Sequence, residues 1–111
     1  AFQLSKECAL AKRYIDSNYS QNITLDSLAE ITHINKFYLA HSFTECVGQS
    51  PINYLTDRRL EACKELLVSS NLSVAQVATS VGFSSQSYFS QIFRKKTGMT
   101  PRQYRSRYAR K

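Results

Sequence analysis

Apolar residues recur at three- and four-residue intervals through most of this chain, the spacing that gathers them on one face of an α-helix. Cys8, Ala11, Tyr14 with Ile15, and Asn18 with Tyr19 mark a first amphipathic segment over residues 5–19. A polar loop, SNYSQN, closes it. Thr24 then stands where an N-cap belongs, ahead of a short helix carrying Leu25, Leu28 and Ala29. After a turn around His33 and Ile34, Asn35 is placed to cap a second helix over residues 35–46, and Gly48 to end it in a left-handed cap. Ser50-Pro51 restarts the chain, since proline suits the first position of a helix. That helix, residues 51–69, has an expected stripe of Ile52, Leu55, the stem of Arg59, Ala62 with Cys63, and Leu66 with Leu67. SSNLS breaks it. Ser73 with Gln76 forms the capping-box pattern S-x-x-Q and opens a short helix as far as Ser80. Val81-Gly82-Phe83 makes the next turn, Ser84 caps a helix over residues 84–96, Gly98 ends it, and Thr100-Pro101 opens a last helix towards Tyr108. No stretch alternates as a strand would. The pattern predicts an all-α fold of about seven helices.

The same order of elements occurs twice. ITLDSLAEITHINKFYLAHSFTECVGQSPINY, from Ile23, and LSVAQVATSVGFSSQSYFSQIFRKKTGMTPRQY, from Leu72, pair Thr24 with Ser73, Leu28 with Val77 and Ala29 with Ala78. One residue is gained at the turn, after which Leu39 pairs with Phe89, Phe43 with Phe93, Gly48 with Gly98, Pro51 with Pro101 and Tyr54 with Tyr104. A short helix, a turn and a longer helix, repeated at this period, predict two helix-turn-helix units. The expected division is residues 1–50 and 70–111 for the units and 51–69 for a connecting helix. At 1.5 Å per residue, that connector is a rod of roughly 28 Å. Leu28, Ala29, Ile34, Leu39 and Phe43 are the expected core of the first unit; Val77, Ala78, Phe83, Phe89 and Phe93 that of the second. Gly82 suits a turn position with positive φ, which His33-Ile34 must manage without glycine.

Charge narrows the function. The net charge is +7, but residues 94–111 hold eight basic side chains and no acidic one, whereas the preceding 93 hold seven basic and eight acidic. A block of this kind suits phosphate contact, with a membrane surface or a solvated tail as rivals. No apolar run approaches the roughly 18 residues of a membrane span, and no signal-peptide pattern opens the chain. Cys8, Cys46 and Cys63 are far apart, make no C-x-x-C pair, and His33 and His41 complete no zinc pattern. They read as reduced, mostly buried thiols; no metal or cofactor is expected. The eight carboxylates are scattered with no close pair of the kind a metal nuclease needs, so an enzyme is not expected.

In a helix-turn-helix the second helix enters the major groove and reads base edges near its N-terminus. In the first unit the candidates are Lys36, Phe37, Ala40, His41 and Thr44, with Phe37, Ala40 and His41 the candidate base contacts and Lys36 a phosphate candidate. Phe37 either packs on a thymine methyl or the sugar–phosphate wall, or is a partly buried packing residue; His41 either donates to a phosphate or guanine, or is an ordinary exposed histidine. In the second unit the candidates are Gln86, Ser87, Ser90 and Gln91, which either read bases, since glutamine can pair bidentately with adenine and serine with either kind of edge, or are ordinary solvated polar residues. Arg94, Lys95 and Lys96 at the end of that helix suit phosphates. Backbone amides at the helix starts near Thr24 and Ser73 are further phosphate candidates.

SPINYLTDRRLEACKELL and SVAQVATSVGFSSQSYFSQIFRKKTGMTPRQYR closely resemble the DNA-binding region of the AraC/XylS family of bacterial transcription regulators. The likeness runs over residues 9–105 and is most specific at Pro51, Tyr54, Arg59, Leu60 and Ala62, then at Ala78, Gly82, Phe83, Tyr88, Phe89, Phe93, Gly98, Pro101, Tyr104 and Arg105. It implies seven helices, two helix-turn-helix subdomains joined by a long central helix, and two recognition helices in successive major grooves of bent double-stranded DNA. Phe37, Ala40 and His41, and Gln86, Ser87, Ser90 and Gln91, fall where the family's helices read bases. Two departures weaken the first unit: His41 replaces a frequent arginine, with shorter reach and no guanidinium fork, and Ala40 a frequent polar residue. The resemblance further implies a cytoplasmic, nucleoid-associated bacterial protein and contact with RNA polymerase. It also implies either a second domain, outside this chain, that binds a small effector, dimerises or receives a phosphoryl group, or one of the family's few stand-alone members; this domain by itself is expected to be a monomer. The rival reading is a helical protein-interaction module that contacts RNA polymerase or another regulator and binds DNA mainly non-specifically.

Overall fold

Seven helices, and no strand, make up the regular structure of the computed structural model over the described residues, 5–110. They are α1 (Lys6–Asn18), α2 (Leu25–Thr32), α3 (Lys36–Val47), α4 (Pro51–Ser69), α5 (Val74–Ser80), α6 (Gln86–Thr97) and α7 (Pro101–Tyr108). Lys111, the last residue of the basic block, lies outside the described residues.

Local chemistry sets the starts of these helices. Ser5 accepts from the Cys8 amide to cap α1. Thr24 and Ser27, Ser73 and Gln76, and Thr100 and Gln103 form reciprocal capping boxes that satisfy two orphan amides each. Asn35 Oδ1 accepts from the amides of Phe37 (2.8 Å) and Tyr38 (3.3 Å). The cap of α6 is Ser85 rather than Ser84, and the helix ends at Thr97. Gly48 and Gly98 end α3 and α6 in left-handed conformation, their amides returning to Thr44 and Arg94 carbonyls. At the turns, Gly82 has φ 106° and His33, its counterpart, φ 59°. Histidine is among the residues that tolerate the left-handed region, which explains how the first turn closes without glycine.

The chain divides into two compact units within α4, between Arg58 and Arg59. In the first, Cys8, Ala11 and Ile15 of α1, Ile23, Leu28 of α2, Leu39 and Phe43 of α3, and Leu55 of α4 form one buried cluster. In the second, Leu60, Cys63, Leu67, Val77, Ala78, Val81, Phe83, Phe89 and Phe93 are buried. The repeat extends to ring geometry. Phe43 meets Tyr54 edge-on at 5.8 Å, and Phe93 meets Tyr104 edge-on at 5.5 Å. Ala29 and Ile34, expected in the core, are only partly buried.

The stripe expected along α4 needs correction. Ile52 is 42% exposed, and Leu60, left out of the stripe, is buried. Pro51 and Leu55 serve the first unit, Leu60, Cys63 and Leu67 the second. The spacing shifts by one residue between Leu55 and Leu60 because each half of the helix packs into a core of its own. Burial pushes the Cys63 thiol up to about 12.

Candidate nucleic-acid interface

The second helix of each unit is anchored on one side and open on the other. In α6, Phe89 and Phe93 are fully buried, so the helical period turns Ser87, Gln91 and Arg94 outward. Gln86, Ser87 and Gln91 are exposed and Ser90 is half-buried. Arg94, Lys95 and Lys96 occupy the exposed last turn. These side chains therefore share one helix, with amide and hydroxyl groups towards its start and cations towards its end. Three cations in the last turn also complement the negative end of the helix dipole.

In α3, Leu39 and Phe43 are the buried anchors, and Phe37, His41 and Thr44 are exposed. Phe37 is 71% exposed, which excludes the packing role left open for it. Ala40 is half-buried. Thr44 Oγ1 donates back to the Ala40 carbonyl at 2.8 Å, so that hydroxyl is partly occupied within its own helix. Polar candidates of this unit also have acidic neighbours. Lys36 Nζ lies 3.1 Å from Asp26 and 5.5 Å from the Phe37 ring centre, and His41 Nε2 lies 3.1 Å from Glu45. The contrast with α6 is chemical: the residues matching Glu45 and Cys46 there are Lys95 and Lys96.

Thr24 and Ser73 are placed at helix starts as expected, but their own amides are taken by the capping boxes, Thr24 by Ser27 at 2.9 Å and Ser73 by Gln76 at 2.8 Å. Helix geometry leaves the next two amides of each start without an intrahelical acceptor: Leu25 and Asp26 in α2, Val74 and Ala75 in α5. The Asp26 carboxylate makes the α2 start the less favourable of the two for a phosphate.

Sequence reasoning gave no role to two exposed aromatics, Tyr38 and Tyr88. Their signal was present: the repeat pairs them, each directly before a core anchor. The His41–Glu45 contact was legible as an i,i+4 pair, whereas Lys36–Asp26 crosses a turn and had no local signal. Among the described residues no group of three or more His, Cys, Asp or Glu is arranged to hold a metal ion, and no helix is long and apolar enough to cross a membrane. Arg59 places its guanidinium 5.8 Å from the Phe83 ring centre, and burial pulls it down from the ordinary arginine value.

Known proteins share this seven-helix fold. Residues 28–107 match a helix-turn-helix domain family. The chain is 34% identical over 96 residues to the bifunctional transcriptional activator/DNA repair enzyme AdaA of Bacillus subtilis, covering 86% of this chain and 46% of that protein. It thus spans about half the length of that relative. The C-terminal domain of AraT, a response regulator from Geobacillus stearothermophilus, superposes with a TM-score of 0.94 at 36% identity, over 99% of this chain and 92% of that one. The DNA-binding domain of AdpA, solved in complex with a target DNA, superposes with a TM-score of 0.88 at 25% identity, over 94% of each chain. The chain belongs to the AraC-type helix-turn-helix family of transcription regulators.

Proposed function

We propose that this domain reads double-stranded DNA in transcription regulation by placing α3 and α6 in successive major grooves, with α6 the stronger reader. The observation that carries this is the division of α6 into a buried aromatic side, Phe89 and Phe93, and an exposed side of Ser87, Gln91, Arg94 and Lys95, with Gln86 and Lys96 exposed at the two ends of the helix. Amides and hydroxyls discriminate base edges, whereas cations hold phosphates without reading sequence. Gln86 and Gln91 are assigned to adenine edges, and Ser87 and Ser90 to donors or acceptors beside them.

In the first unit Phe37 and Ala40 make apolar contacts, Phe37 with a thymine methyl and Ala40 through its own methyl, while His41 donates to a base or phosphate once it parts from Glu45. Lys36 reaches a phosphate only by sharing or leaving Asp26. The amides beside Thr24 and Ser73 add contacts at the helix starts. Contact with RNA polymerase and dimerisation through a further domain remain with the whole regulator.

A salt titration tests the reading. Binding through six to ten phosphates weakens by about 10³ to 10⁵ between 50 and 200 mM salt. Fluorescence anisotropy on a labelled duplex is expected to show a loss on this scale. Salt-sensitive binding of equal strength to a selected duplex and to a scrambled one of the same composition would favour the interaction module instead.

A further inference from the structure

Tyr38 and Tyr88 stand fifty residues apart at equivalent places in the repeat, each the third residue of its helix and each directly before a buried anchor, Leu39 or Phe89. They are 64% and 50% exposed, although a tyrosine left this far in water adds little to a core. At 100° per residue, Tyr88 and Lys95 fall within about 20° of each other on α6, two turns apart, along the edge of the face that carries Ser87 and Gln91. The same edge of α3 carries Tyr38 and Glu45. The Tyr88 ring packs against Phe83 at 6.1 Å between centroids, and Phe83 in turn holds the Arg59 guanidinium near its ring. A braced ring restricts where its hydroxyl stands, so little freedom is lost when that hydroxyl binds.

We infer that Tyr88 and Tyr38 are positioning residues, one per unit, whose phenol hydroxyls donate to backbone phosphates on the wall of the groove that each helix occupies. The inference rests on the reading that α3 and α6 enter DNA, and it names a partner for two residues that this reading leaves unused. Phosphate oxygens are the partner that the position favours. The edge lies beside the base-reading face rather than on it, and in α6 it continues to the cation Lys95. Tyrosine is among the side chains that make such contacts, which fix the register of a recognition helix. Tyr88 has the larger expected effect, because Lys95 draws phosphate to its edge whereas Glu45 repels it from the edge of Tyr38.

Tyr88→Phe keeps the ring and its packing on Phe83 while removing the donor. Its affinity is measured by anisotropy on a duplex recovered by selection and on a scrambled duplex of the same composition, each across a range of salt. A hydrogen bond to a charged group corresponds to about tenfold in affinity, so both duplexes are expected to bind about tenfold more weakly. The salt slope is expected to stay unchanged, because a neutral donor releases no counterion, whereas Lys95→Ala lowers it by about one. Tyr38→Phe should give the same signature at smaller size. Wild-type affinity for Tyr88→Phe would overturn the inference and leave Tyr88 as packing. A loss confined to the selected duplex would overturn it in favour of base reading. Absence of salt-sensitive duplex binding by the wild-type chain would defeat the underlying reading itself.

Discussion

Gln91 combines exposure, a bidentate amide and a place on the outward side of α6, one turn beyond Ser87. Replacing it with alanine removes the amide and leaves Phe89 and Phe93 to hold the helix. Gln91→Ala is expected to relax preference at one base position and to cost about 1–3 kcal/mol on a preferred duplex, with little change on a random one. Competition binding against duplexes substituted at single positions checks this; equal loss on every duplex would remove Gln91 from the base readers. At this scale the sequence made the core anchors legible, because Leu39, Phe43, Phe89 and Phe93 recur in register and aromatic side chains of that size belong inside. Partners were harder to foresee. Asp26 meets Lys36 across a turn, where no local spacing announces the contact.

Helix boundaries follow residues that act on their own neighbours, and this is why they could be read so closely from the chain. Thr24, Asn35, Ser73 and Thr100 each accept a hydrogen bond from an amide two or three residues ahead. Ser84 and Ser85 offer the same chemistry at adjacent positions, and only the folded turn selects Ser85. The end of α4 has a different cause. It has no glycine terminator, and its last carbonyls find partners in two places. Leu66 accepts from the Ser70 amide (3.1 Å), Leu67 from Arg105 Nε (2.9 Å) and Val68 from the Arg110 amide (3.0 Å). Arg105 lies 38 residues from Leu67 in sequence, so no local pattern announces the contact. Arg105→Ala is expected to destabilise the second unit by about 1–2 kcal/mol, because it leaves a part-buried carbonyl without its donor. Denaturant unfolding followed by helical circular dichroism measures this, and an unchanged midpoint would show that water replaces the guanidinium at no cost.

At the scale of the molecule, duplication was the most legible property, since two copies of one pattern predict two copies of one fold. The register of α4 was the least legible. A single helix that serves two cores has no single apolar stripe, and a search for one places Ile52 inside and leaves Leu60 out. Charge divides the copies where fold does not. The basic block from Arg94 onward belongs to the second unit, while in the first Lys36 and His41 each lie against a carboxylate. Sequence reading by both units, with the second holding DNA more strongly, is the central claim. In-vitro selection of this domain against a randomised duplex library of about 30 base pairs at moderate salt tests it most directly. The predicted result is two conserved blocks about one helical turn apart, the spacing of successive major grooves on one face, with the stronger block contacted by α6. A single conserved block, or salt-sensitive binding with no enriched sequence, would contradict it.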